Sequence, residues 1–208
     1  MAAPHQPLVR KYTPTRIQDL VLPKGHNLAS AIKFVGAPYS SAWLLYGNTG
    51  LGKTSLANIM AAAAAGHPEA VIQVDGGDLN AESVREIALS LATPPKFGPF
   101  HAVVVDQSDS IPEDGQVRLL SVLDKLGSMV WIFTAEATKN FGPRFLSRVK
   151  YQLFTSQNVC PAATLWLLTI AKRENIRLSE KEAKRIVQDS RNDLRASLEA
   201  LDLLSQQK

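Results

Sequence analysis

A single cysteine, Cys160, in 208 residues leaves no intramolecular disulfide and no zinc site built on cysteines. It precedes Pro161 at an expected helix start and reads as a small packing residue rather than a reactive thiol. Long apolar runs are missing as well. The longest candidate, Ile59 to Ala65, is Ala-rich and far short of the ~20 residues that cross a bilayer, so no membrane partner is expected. The segment Met1 to Arg10 has no apolar core followed by a cleavage site; no secretory signal is read, and a cytoplasmic location is the expectation. Charge of one sign is scarce: 23 Lys and Arg stand against 19 Asp and Glu, a formal net charge of +4. Cut at Thr155, the counts are 14 against 12 and then 9 against 7, so neither part concentrates the excess. This balance is compatible with contacts to nucleic-acid phosphate without requiring them.

What is present is an alternation. Apolar runs at Ala42 to Tyr46, Ala70 to Val74, Ala102 to Val105, Val130 to Thr134 and Lys150 to Phe154 are separated by helix-like segments. Several runs are continuously apolar, as strands covered on both faces require. Strand, crossover and strand repeated in this way predict an α/β fold with a parallel five-stranded sheet flanked by helices. From Ser156 the pattern changes: Pro161 to Asn175, Ser179 to Ser190 and Asn192 to Ser205 read as amphipathic helices. Ser179 and Glu182 form a capping box, and Leu194, Leu198, Leu201 and Leu204 a single apolar stripe. The expected organisation is an α/β domain over 1–155 and a small all-α, three-helix lid over 156–208.

Gly47-Asn48-Thr49-Gly50-Leu51-Gly52-Lys53-Thr54 fits the pattern G-x-x-x-x-G-K-[ST], after the run Trp43 to Tyr46 and before the helical Ser55 to Ala65. Glycines let the backbone curl its N–H groups around phosphate oxygens, and the helix start adds positive partial charge. Gly47 to Ser55 are therefore read as a P-loop for ATP, with Lys53 on the β- and γ-phosphates and Thr54 on Mg²⁺. Asp106, ending His101 to Val105, supplies the acidic partner for Mg²⁺. The next residue, where such ATPases usually carry Glu, is Gln107. Gln can hydrogen-bond a water but cannot take its proton, so ATP binding with slow hydrolysis is expected. A native Gln that makes the site mainly a binder and an engineered Glu→Gln exchange both fit this residue.

With these motifs in place the chain resembles the small subunits of sliding-clamp loaders, the replication factor C type of AAA+ ATPase, over nearly its whole length. Val9 to Pro14 is similar to the family's W-x-x-K-Y-R-P segment beside the adenine, which assigns Tyr12 and Pro14 to the nucleotide; Thr13 replaces the Arg and the Trp is absent. Asn80, Ala81, Val84, Arg85 and Ile87 match a helix that tracks DNA, which implies DNA contacts for Asn80 and Arg85. Asp106 to Ser110 matches D-E-x-D-S except at Gln107; Gln116 matches a following glutamine, and Asp124 takes the place of a Glu. Trp131 to Glu136 resembles the sensor-1 strand, with Glu136 where Asn is usual. Ser147-Arg148-Val149 is similar to S-R-C, which implies that Arg148 is an arginine finger reaching the ATP of a neighbouring subunit. Asn192 to Arg195 is similar to the lid's G-D-x-R and makes Arg195 the sensor-2 arginine. The family continues into a helical collar, which is absent before Lys208; a truncation or a natural minimal relative is expected.

The resemblance implies an ATP-driven switch in DNA replication, a homo- or hetero-oligomer acting with DNA on a ring-shaped partner, clamp or helicase. Alternatives are a helicase-loader or initiator-like ATPase of a mobile element and a non-hydrolysing ATP-dependent scaffold, the latter favoured by Gln107 and Glu136. A small-molecule kinase would leave the lid helices and Ser147-Arg148 without a role.

Overall fold

A computed structural model describes residues 6–154 and 158–206. The chain divides into two compact units, one of Asn27–Gly47 and Lys53–Phe154, the other of Met1–His26, Asn48–Gly52 and Thr155–Lys208. The expected domain boundary between Thr155 and Ser156 lies outside the described residues.

In the first unit every apolar run becomes a strand: β1 (Ser41–Gly47), β2 (Val71–Asp75), β3 (His101–Asp106), β4 (Met129–Ala135) and β5 (Lys150–Phe154). They form one parallel sheet in the order β2-β3-β4-β1-β5. The three inner strands are buried on both faces, with Leu44, Leu45, Val103, Val104, Ile132 and Phe133 at 0% exposure. That explains their unbroken hydrophobicity. At the β2 edge, Val71 and Ile72 are half-buried and Gln73 is exposed. Numbered through the whole chain, the helices of this unit are α2 (Ala29–Gly36), α3 (Lys53–Ala65), α4 (Ala81–Ser90), α5 (Glu113–Leu123) and α6 (Pro143–Leu146). One face of the sheet (Leu44, Val103, Val105, Trp131, Phe133) packs with Val84 of α4, Leu119 and Val122 of α5, and Phe145 of α6. α3 packs on β3 and β4 and buries Leu56, Ala57, Met60 and Ala61.

The register positions the site. β1 pairs Leu44 with Phe133 and Tyr46 with Ala135, and β3 pairs Val105 with Phe133. Gly47, Asp106 and Thr134 are thus brought to one end of adjacent strands. The chain leaves β1 for β2 at the far edge and later returns to β5 on the other side of β1. Parallel α/β sheets bind ligands at the carboxyl ends of strands, beside such a reversal of order.

The second unit holds α1 (Leu8–Lys11), α7 (Cys160–Arg173), α8 (Glu180–Asp189) and α9 (Leu194–Gln206). Leu8, Ala163, Leu167, Ile170, Ala183, Val187 and Leu201 are buried. Ser179 and Glu182 form the expected capping box at the start of α8. α7 ends two residues before the expected Asn175, because Asn175 takes φ 56° and the Ile176 N–H turns back to Ala171 O at 2.8 Å. α9 starts later than expected for a related reason. Arg191 and Asn192 both have positive φ, and Asp193 caps the helix by accepting from Ala196 N at 2.9 Å. Its leucine stripe is buried at Leu194, Leu198 and Leu201, whereas Leu204 is 39% exposed. Among the described residues no helix is long and apolar enough to cross a membrane.

Candidate nucleotide-binding site

β1 ends at Gly47 with φ 128°, where a Cβ would lie 1.8 Å from Phe154 O. The first glycine of the loop is therefore imposed by the neighbouring strand. α3 begins at Lys53, two residues ahead of the expected Ser55, so Lys53, Thr54 and Ser55 form its first turn. Helix starts leave backbone N–H groups unsatisfied and carry positive partial charge. The Lys53 ammonium donates to Gly47 O at 2.8 Å. Thr54 Oγ1 donates to both oxygens of Asp106, at 3.1 and 3.3 Å.

Asp106 receives a further hydrogen bond from the hydroxyl of Thr134 on β4, which is 2% exposed. Thr134 Oγ1 in turn accepts from Gln107 N at 3.3 Å. Sequence reasoning identified Asp106 but assigned Thr134 no role, because the pairing of β3 with β4 is not written in either strand. Gln107 occupies the left-handed region, φ 51° and ψ 45°. Its carbonyl accepts from Ser110 N at 3.0 Å and Ser110 Oγ at 2.6 Å. A Cβ on Gly76 would meet that carbonyl at 2.3 Å. The Gln107 side chain is exposed. Glu136 is also exposed, just beyond β4, and hydrogen-bonds to none of these groups.

The middle of the loop belongs to the second unit. Asn48 and Thr49 are exposed, and Leu51 is buried. Gly50 has φ 66° and its carbonyl accepts from Leu194 N at 3.2 Å. A Cβ on Gly50 would lie 2.0 Å from Asp193 Oδ1. The loop thus rests directly on the start of α9, and Arg195, exposed, stands in that first helical turn. Tyr12 donates its hydroxyl to Glu174 at the end of α7, and Lys11 Nζ lies 2.8 Å from the same carboxylate. Burial, then the hydrogen bond and charge of Glu174, push the Tyr12 pKa up to about 12. Pro14 is half-buried nearby in sequence.

The remaining predicted residues lie on the first unit. Asn80 caps α4, its Oδ1 accepting from Glu82 N and Ser83 N at 3.0 Å each, while Asp114 accepts from Ala81 N at 3.0 Å. Arg85 is exposed on the same helix. Gln116 Nε2 donates to Ile111 O at 3.2 Å and Asn140 O at 3.1 Å. Arg148, between α6 and β5, pairs with Asp124 through Nε–Oδ1 at 2.7 Å and Nη2–Oδ2 at 2.9 Å.

A family profile described as the ATPase family associated with various cellular activities matches residues 43–157, more than half of the chain. The chain belongs to the AAA family. Solved structures add the fold. Thermotoga maritima RuvB, described as a Holliday junction branch migration motor, superposes with TM-score 0.66 at 15% identity, covering 91% of this chain and 64% of that one. An arginine-to-alanine variant of the same protein gives TM-score 0.70 at 15% identity with the same coverage. This chain therefore spans under two thirds of the RuvB chains. No curated protein matches it significantly.

Membership in the AAA family implies a nucleotide, usually with Mg²⁺, and the residues fit one. A hydroxyl and a carboxylate converge at Thr54 and Asp106, oxygen donors of the kind hard divalent cations take. An ammonium at the loop, on Lys53, supplies the charge that phosphates need. Among the described residues no group of three or more His, Cys, Asp or Glu could hold a metal ion.

Proposed function

We propose that this AAA protein is an Mg·ATP-binding switch that hydrolyses slowly and acts on DNA-replication machinery in the manner of a clamp-loader subunit. The observation that carries the reading is the cluster of Lys53, Thr54, Asp106 and Thr134 at the carboxyl ends of β1, β3 and β4. Gly47 to Ser55 would hold the triphosphate, and Thr54 with Asp106 the Mg²⁺, which when bound screens phosphate charge and polarises the γ-phosphate. Thr134 holds the Asp106 carboxylate and the backbone before Gln107. Gln107 orients a water without accepting its proton. Tyr12 and Pro14 border the base, Arg195 senses the phosphates from the helical lid, and Arg148 serves the nucleotide of a neighbouring copy. The oligomer would contact DNA through the α4 helix, where Arg85 meets phosphate and Asn80, its amide oxygen committed to capping, orders the helix. Support for DNA comes from those motifs and from RuvB's description as a Holliday junction motor.

Titration with Mg·ATP tests the core of this reading. At about 100-fold excess over Kd, ligand linkage stabilises by about 2.7 kcal/mol. For a chain of this size that raises the melting temperature by about 5–11 °C. Lys53→Ala removes the main phosphate charge and should abolish the rise while leaving the ligand-free melting temperature close to wild type. A flat wild-type melting temperature at saturating Mg·ATP refutes the assignment. A second reading, a non-hydrolysing assembly scaffold, is favoured specifically by Gln107.

A further inference from the structure

Arg148 is held more firmly than a surface arginine needs to be. Asp124, at the C-cap of α5, takes Nε and Nη2 on its two oxygens at 2.7 and 2.9 Å. Nη1 donates to Arg144 O at 2.6 Å and lies 3.5 Å from Ser147 Oγ. All three guanidinium nitrogens are thus fixed, from two different elements, although the Asp124 side chain is 52% exposed and that of Arg148 28%. In sequence, Arg148 sits among Lys139, Arg144 and Lys150 with no acid between them. The carboxylate that neutralises it is supplied by another helix.

An ion pair this exposed adds little to folding, because water screens it and two side chains lose freedom. What a bidentate pair does add is geometry: the planar fork has a single orientation against a carboxylate. Asp124 occupies the Nε–Nη2 edge, and Nη1 serves the Arg144 carbonyl and Ser147 Oγ, so the second N–H of Nη2 is committed to none of them. A guanidinium aimed in advance loses less entropy when an anion arrives. The partnership also holds Arg148 in its charged form, as its hydrogen bond to Asp124 raises its pKa.

We propose that Asp124 is the positioning residue for Arg148, fixing its guanidinium so that its uncommitted Nη2 donor meets the terminal phosphate of ATP bound to a second copy of this chain. This rests on the reading of Arg148 as a residue acting on a neighbour's nucleotide. Asp124 touches no nucleotide itself; it acts through Arg148.

The test is self-association of the full chain, measured by analytical ultracentrifugation in Mg·ATP and in Mg·ADP. It reads the terminal phosphate whether or not the protein hydrolyses ATP. Wild type should associate more tightly with ATP than with ADP, and Arg148→Ala should erase that preference. Asp124→Asn, which keeps shape and removes charge, should reduce the preference by about tenfold, the order expected when a charge-assisted hydrogen bond is misplaced. Its association in ADP and its melting temperature should match wild type. Asp124→Glu should restore part of the preference, and Asp124→Asn should have no further effect in the Arg148→Ala background. An unchanged or enhanced ATP preference in Asp124→Asn overturns the inference while leaving Arg148 in place. Equal effects with and without Arg148 overturn it as well. If wild type shows no ATP preference, or Arg148→Ala keeps one, the trans-acting reading of Arg148 falls and takes the inference with it.

Discussion

Gly50→Ala probes the contact between the P-loop and the start of α9. Gly50 has φ 66°, and an added Cβ would meet Asp193 Oδ1 at 2.0 Å, Cγ at 2.1 Å and Oδ2 at 2.4 Å. Holding an alanine in the left-handed region costs about 1–2 kcal/mol. Asp193 can swing clear only by releasing Ala196 N, and losing an N-cap costs about 1 kcal/mol. The displaced helix start then loosens the hydrogen bond from Leu194 N to Gly50 O, about 1 kcal/mol more. The sum is about 3–4 kcal/mol, or a melting temperature lower by about 10 °C. The decisive measurement is a double-mutant cycle by urea denaturation. Asp193→Ala alone should cost about 1 kcal/mol. The double variant has no clash left, so only the strain and the missing cap remain, about 2–3 kcal/mol, which is less than the sum of the singles. Additivity of the two substitutions within about 0.5 kcal/mol would refute the proposed contact.

Gln107→Glu should raise ATP turnover towards rates typical of the family if the site is an enzyme lacking its base. A steady-state assay that stays at background favours the scaffold. Tyr12 titrates late because burial and Glu174 disfavour its phenolate. A raised pKa favours the protonated form in the folded state. The contribution is therefore complete below the ordinary tyrosine pKa of 10.0 and is lost as pH rises towards about 12. In an ultraviolet phenolate titration, the step missing from Tyr12→Phe should lie near 12; a missing step near 10.0 would contradict the Glu174 partnership.

The fold was legible because its signals are local. Each continuous apolar run became a strand, Ser179 and Glu182 capped α8, and Lys53 and Thr54 opened the helix that follows β1 and its glycine loop. The features that sequence reading passed over are those created by chain crossing. Thr134 meets Asp106 only through the β3 and β4 register, and Asp193 meets Gly50 across 143 residues of sequence. Helix ends moved for the same kind of reason: a positive φ at Asn175, Arg191 or Asn192 is a backbone choice that amphipathic periodicity does not record. Asn80 shows the converse. Its placement matched a DNA-tracking segment, yet N-cap residues and phosphate-contacting residues are drawn from the same polar set, and here the cap uses its amide oxygen.

Position 107 offers Gln and Glu the same backbone placement. The hydrogen bonds that hold Gln107 in the left-handed region go to its backbone: Thr134 Oγ1 accepts from its N–H, Ser110 N and Oγ donate to its carbonyl, and Gly76 makes room. None of these holds its side chain, so a Glu there would start from the same Cβ, and exchanging the two alters proton affinity rather than aim.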